Sequence, residues 1–415
     1  MLGQLVMVGI SHARSEQALL EGTSVRPADV PAFLDELRAA GYEETVALST
    51  CSRTELYAVT GAGRTGPAGL IDLLFGRLGP DHRAAAESAV EVRSGSEAIG
   101  HLFRVTAGLE SRVVGEADVQ VQVQRAFRAA QIAGTAGPLL QRLFPAALRS
   151  AERAHAQTEL GKLNRSLARR AVDIGLERLA GAASPRTLVV GSGQMAAAAL
   201  ARLSELGLSA RVAARNEHYA AKLAGRAAVC SLDALVTEIT RTDLLICTTS
   251  AAQPVVTADR VHAAMLGRAD VLTVVDLSVP RNVDPAVARA GRVQLVELAA
   301  LHDDARRDPA TRAAVLHAEA LVAAATGRVV DDLAARAVGP LIEALHEQAR
   351  RQCRDTLLRR RPDLSAEAAE HAANAQAGRL VHAPTLALRT AAATGDRAAL
   401  QRIAASLGLA PPAAT

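Results

Sequence analysis

Read by apolar and polar positions, the chain changes period several times. Residues 5–10 (LVMVGI) form an apolar run of strand length, followed by an acid-rich helical pattern. DVPAFLDELRAAG repeats the helical spacing, and ETVALST is strand-like again. ELYAVTG then returns the chain, which leaves Cys51 in a strand-to-strand loop or at its lip. Residues 61–69 (GAGRTGPAG) read as a turn or flexible loop. Across residues 96–133 apolar positions recur at helical spacing, but Gly108 and Gly115 interrupt them. Inside a helix such glycines cost stability unless the backbone needs them. GPLLQRLFPAALRSAERA restores the helical period ahead of Ser184-Pro185, a candidate linker.

From about residue 186 to 296 short apolar runs alternate with helical patterns: RTLVVGSG, MAAAALARLSELG, ARVAAR, HYAAKLAG, TDLLICTTS, VLTVVDLS. That order predicts a buried parallel sheet with helical crossovers. From about residue 308 the chain reads as helix, a tail of the kind that builds dimer interfaces, and no tandem repeat is visible. A length of 415 residues fits two or three domains.

Composition narrows the chemistry. With 2% aromatic residues and no tryptophan, a nucleic-acid ligand would find few stacking platforms, so phosphate and shape contacts would carry binding. The formal charge of +4 permits an anionic partner without requiring one. Cys51, Cys230, Cys247 and Cys353 form neither a disulfide framework nor a CxxC pair, which points to a reducing cytosol and away from zinc. No charged segment precedes a short apolar run at the amino terminus, and no stretch of about eighteen uncharged apolar residues occurs. The expectation is a cytoplasmic chain that does not span a membrane.

Gly191-Ser192-Gly193-Gln194-Met195-Ala196 is a GxGxxA that follows a strand and opens a helix. The first glycine allows the tight turn and the second lets a pyrophosphate approach the backbone. The small third residue lets helix and strand pack closely, and the helix amino terminus favours the anion. The next strand ends Ala213-Ala214-Arg215-Asn216, where NAD sites carry a carboxylate; Arg215 suits a 2′-phosphate and favours NADP(H). Cys51 has Arg53 two residues on, which either lowers the thiol pKa or holds a substrate carboxylate, with Thr50 and Ser52 adding hydroxyls. A thiolate beside NADP(H) points to acyl transfer onto sulfur, then hydride reduction of the thioester to an aldehyde. Cys230 and Cys247 lie in apolar runs and read as core; Cys353 has no assigned role.

GISH at residues 9–12, STCSRTELY at 49–57, HLFRVTAGLES at 101–111, Gly115-Glu116, the nucleotide loop, DLSVPRNVDP at 276–285 and HAPT at 382–385 follow one another along nearly the full length. With these separated motifs in this order the chain resembles the glutamyl-tRNA reductase family. The resemblance implies a V-shaped homodimer of three-domain subunits. These would be an α/β N-terminal catalytic domain (1–155), a Rossmann-type NADP-binding domain (156–305) and an all-α C-terminal dimerisation domain (306–415). It makes Cys51 the nucleophile on the ester of glutamyl-tRNA and NADPH the hydride donor. The product would be glutamate-1-semialdehyde, in the first step of five-carbon tetrapyrrole biosynthesis. It gives His101 a part in activity, by polarising the carbonyl or moving a proton, and places Thr50, Ser52, Arg53, Ser111, Glu116, Asp118 and Gln122 at the substrate. Glutamate-1-semialdehyde aminomutase is the implied partner.

Four departures stand out. Ser52 occupies an asparagine position, Ala117-Asp118 a Pro-Gln pair, and Ala196 a glycine, while the tail lacks the family's tryptophan. Asp118 adds negative charge beside an anionic substrate, which Arg112 would offset. The alternatives are a diverged paralogue acting on another acyl donor and a non-catalytic nucleotide-binding protein; Cys51, Arg53 and His101 argue against the second. The arginine-rich stretch at 349–361 reads first as a solvated, salt-bridged helix face and second as a phosphate-binding surface.

Overall fold

The computed structural model describes residues 4–60, 66–116, 118–179, 184–224, 227–249, 251, 253–278, 281–298, 308–394 and 396–409. Most of the turn expected at 61–69, Ala117, Val279, Pro280 and the boundary expected at 305 lie outside the described residues. The chain folds as two compact units. One comprises Met1–Thr106, Gln120–Ala151 and Leu321–Thr415; the other comprises Ala107–Val119 and Glu152–Ala320.

The first unit is built on an antiparallel sheet of β1 (Leu5–Ser11), β2 (Tyr42–Ser49), β3 (Arg53–Thr60) and β4 (Glu91–Ser94), in the order β2-β3-β1-β4. β3 lies between β2 and β1 and is buried from Arg53 to Val59, both faces being covered. Phe144 closes one part of this core, edge-on to Tyr57 at 5.6 Å and stacked on Phe127 at 5.3 Å. The β1/β3 register sets Gly9 opposite Glu55. A Cβ on Gly9 would stand 2.7 Å from Glu55 Cγ and 2.8 Å from the Thr54 carbonyl oxygen, so this glycine makes room for a buried carboxylate.

The unit's tail is helical, as expected: Pro309–Arg360, which begins in the other unit, then Ala366–Leu380, His382–Ala393 and Arg397–Ser406. Leu341, Leu345, Val381, Leu388 and Ala404 form its core. Pro309–Arg360 is long and apolar enough to cross a membrane by length and composition alone, and 17% of its most apolar window is buried within the chain. Further along, Arg350 pairs with Glu347 and Glu370, Arg351 with Glu347 and Arg361 with Asp363, the salt-bridged face expected of this stretch.

The second unit is a six-stranded, all-parallel sheet of β5 (Thr187–Val190), β6 (Ala210–Ala214), β7 (Ala228–Ser231), β8 (Leu244–Cys247), β9 (Leu272–Asp276) and β10 (Val293–Glu297). The order β10-β9-β8-β5-β6-β7 is that of a doubly wound nucleotide-binding sheet, with its switch point between β5 and β8. Leu167, Ala196, Ala199 and Leu203 pack one face; Leu235, Ile239, Val261 and Ala264 pack the other. Residues 107–119 join this unit because the helix ending at Thr106 breaks. Gly108 has φ +77° and Gly115 φ +80°, and a Cβ on Gly115 would stand 2.5 Å from the Leu160 carbonyl oxygen. The two glycines that spoil the helical pattern are therefore required by the backbone path.

Candidate active site

The β2–β3 turn is organised by Thr50. Its backbone N–H donates to the Arg53 carbonyl at 2.8 Å, and its hydroxyl accepts from the amides of Ser52 and Arg53, each at 3.2 Å. His12 N–H donates to the Ser52 carbonyl at 2.8 Å, which ties the turn to the end of β1. Cys51 sits exposed at this turn, whereas Cys230, Cys247 and Cys353 are all buried. Burial, with Asp276 nearby, pushes the Cys247 thiol up to about 12. Burial raises Cys230 as well, in keeping with a core role for both.

Behind the turn lies a buried polar cluster. Arg53, at 2% exposure, donates from Nη1 to Glu55 Oε1 at 2.7 Å. His101, on the Gly95–Thr106 helix, has Nε2 at 2.9 Å from the same oxygen, and Tyr57 donates its hydroxyl to Oε2 at 2.8 Å. Burial alone would raise the Glu55 carboxyl, but the charges of Arg53 and His101 and the bonds from His101 and Tyr57 outweigh it and hold the group far below the usual carboxylate range. Tyr57 shifts the other way, well above its ordinary value, through burial and the adjacent carboxylate. His101 Nδ1 is buried and has no hydrogen-bond partner among the described residues. Two roles were open for Arg53, at the thiol or at a substrate carboxylate; its ion pair with Glu55 is a third. Sequence reasoning assigned neither Glu55 nor Tyr57. Strand alternation in RTELY puts residues 53, 55 and 57 on one face, and that was the available signal.

The second unit holds a cleft of about 460 Å³ at the carboxyl ends of its strands, lined by Gly191, Ser192, Gly193, Gln194, Met195 and Arg215. Gly191 has φ +123°, and a Cβ there would meet Thr248 Oγ1 at 2.5 Å; around Gly193 nothing lies within 4 Å of where a Cβ would stand. The first glycine is thus demanded by the protein's own turn, and the second leaves an open cradle over the amino terminus of the Gln194–Glu205 helix. Ala196 is fully buried against the sheet. These features fit a bound dinucleotide. Asn216, Tyr219, Thr248, Thr249 and Leu277 complete much of the lining and were not singled out from the sequence. Leu277 of the DLSVPRNVDP segment belongs to that lining, and next to it Asp276 accepts from the amides of Ser278, Asn282 and Val283 at 3.0–3.1 Å.

The expected substrate residues divide between the units. Thr50, Ser52, Arg53 and, through Glu55, His101 cluster at the turn, and Gln122 lies half-buried on the Asp118–Ile132 helix. Ser111 is buried in the second unit, while Glu116 and Asp118 line the nucleotide cleft. Burial, with Asp118 adding like charge, raises the Glu116 carboxyl to about 7. No group of three or more His, Cys, Asp or Glu side chains among the described residues is placed to hold a metal.

Comparison with known proteins matches residues 8–158 to the glutamyl-tRNAGlu reductase N-terminal domain, 173–303 to shikimate/quinate 5-dehydrogenase and 317–408 to the glutamyl-tRNAGlu reductase dimerisation domain. Glutamyl-tRNA reductase of Rubrobacter xylanophilus is 33% identical over 407 residues, covering 94% of this chain and 93% of its own. That of Frankia casuarinae is 34% identical over 436 residues, covering 92% and 90%. Among solved structures, glutamyl-tRNA reductase from Methanopyrus kandleri shares 26% identity, covers 98% of this chain and 100% of its own, and gives a TM-score of 0.44.

Proposed function

Because the chain belongs to the glutamyl-tRNA reductase family, we propose that it reduces glutamyl-tRNA with NADPH to glutamate-1-semialdehyde through a thioester on Cys51. The observation that carries this reading is the exposed thiol of Cys51, held at a turn whose shape Thr50 fixes, in a chain whose other three cysteines are buried.

The Cys51 thiolate attacks the carbonyl carbon of the ester that joins glutamate to tRNA. The C–O bond breaks, the tRNA hydroxyl leaves with a proton, and glutamate remains on sulfur. His101 is the group for moving that proton or polarising the carbonyl. Glu55 accepts a hydrogen bond from the Nε2 side, which orients the ring and leaves Nδ1 as the ring nitrogen with no partner among the described residues. Arg53 serves this arrangement by holding Glu55. Gly191, Ser192, Gly193 and Arg215 would hold NADPH, which when bound would supply a hydride to the thioester carbon; loss of the C–S bond then leaves the aldehyde and the Cys51 thiolate. Ser52, Ser111, Gln122, Glu116 and Asp118 complete the substrate and cofactor surroundings. The chain acts as a homodimer through its helical tail, in three functional regions at 1–155, 156–305 and 306–415. Its labile aldehyde passes to an aminomutase in the cytoplasm.

The test uses glutamyl-tRNA labelled in the glutamate. Without NADPH, label is expected on the wild-type protein and absent from Cys51→Ala; with NADPH, aldehyde forms only with the wild type, the variant losing at least about 1,000-fold. Aldehyde formation by Cys51→Ala would refute the thioester route. Neither label nor aldehyde with the wild type would refute the substrate.

A further inference from the structure

We propose that Tyr219 is the stacking platform for the adenine ring of the bound dinucleotide, an assignment that rests on the NADPH reading above. The chain has three tyrosines and no tryptophan. Tyr42 and Tyr57 are 3% and 1% exposed; Tyr219 is 55% exposed and lines the nucleotide cleft. A large ring left in water gains nothing for the fold, and the cleft is where a ligand would cover it.

Its position in the sheet says which part of the ligand. β6 ends at Ala214, and Arg215 and Asn216 follow. Asn216 Oδ1 accepts from the Tyr219 amide at 3.0 Å, capping the Glu217–Ala224 helix and fixing Tyr219 within its first turn. In a doubly wound sheet the end of the second strand receives the adenosine ribose. Here β6 and β7 lie on one side of β5, and β8 and β9 on the other. Arg215, Tyr219 and Leu232, the residue directly after β7, therefore belong to the adenosine half of the cleft, and Thr248 and Leu277 to the nicotinamide half. Arg215 meets the 2′-phosphate as a charge, Leu232 offers an apolar wall, and Tyr219 offers a π-face. Stacking needs the ring and not the hydroxyl, which makes phenylalanine a faithful substitute.

NADPH fluorescence titrations of the full-length wild type, Tyr219→Ala and Tyr219→Phe test the assignment, with adenosine 2′,5′-bisphosphate as competitor. Tyr219→Ala is expected to weaken NADPH about ten-fold or more and the bisphosphate by the same factor, since both carry the adenine. Tyr219→Phe should stay within about two-fold of wild type. Equal NADPH affinity for wild type and Tyr219→Ala would overturn the platform alone. So would a loss confined to NADPH, because the adenine fragment would then not feel the ring. A wild type that binds no NADPH would overturn the cofactor reading and the platform with it.

Discussion

Glu55 gathers three partners on two oxygens inside a nearly dry core, so its charge matters more than its shape. Glu55→Gln keeps the volume but leaves the Arg53 guanidinium buried with this counter-charge gone. Breaking a buried pair from one side costs about 3–5 kcal/mol, and urea denaturation is expected to show a loss of that size. A loss under about 1 kcal/mol would mean that Arg53 is compensated elsewhere. The two shifted carboxylates have opposite signs. Glu55, depressed, contributes stability that is present above its ordinary 4.5 and lost only as pH falls through its low folded value. Glu116 is raised from 4.5 to about 7, so its contribution is fully present below about pH 4.5 and is lost as pH rises through about 7. Glu116→Gln should therefore gain stability relative to wild type between pH 5 and pH 8, by about 2–3 kcal/mol at most; a difference that stays flat with pH would contradict this. At this scale Cys51, Arg53 and His101 were legible as motif residues, but the tie between Arg53 and His101 was not. The link runs through Glu55, whose room depends on Gly9 across a strand register that no local pattern encodes.

The nucleotide loop shows how much an element's own geometry decides. Gly193→Val adds a side chain where no atom lies within 4 Å. The fold should persist by circular dichroism and thermal melting, while NADPH affinity falls at least about 100-fold because the added group fills the pyrophosphate's place. Unchanged affinity would remove the cradle from this loop. Gly191→Ala should instead destabilise the unit, being strained at φ +123° and pressed onto Thr248. The strand–loop–helix order made this element readable in advance, as did the apolar runs of β5, β6, β8 and β9. β4, β7 and β10 were not read. All three are edge strands of four or five residues with half-exposed positions, so none presents the apolar run that marks a buried strand.

At the scale of the whole molecule the sequence read as contiguous blocks, whereas the fold joins residues 107–119 to the nucleotide unit and 321–415 to the N-terminal unit. Such joins depend on contacts between segments far apart in the chain, which periodicity does not carry. The tail matches a dimerisation domain and leaves Leu380 at 65% and Leu386 at 60% exposure, apolar positions that a second copy would cover. Sedimentation equilibrium is expected to give twice the chain mass of 43.1 kDa, and a monomer at micromolar concentration would refute the dimer. The distribution of sulfur has a further consequence. With one cysteine exposed and three buried, an aromatic disulfide reagent should count one fast thiol in the native chain and four in denaturant. Peroxide should then inactivate the protein with a stoichiometry near one, reversibly while the sulfur stays a sulfenic acid and permanently beyond it, which makes activity a readout of the oxidation state of a single atom.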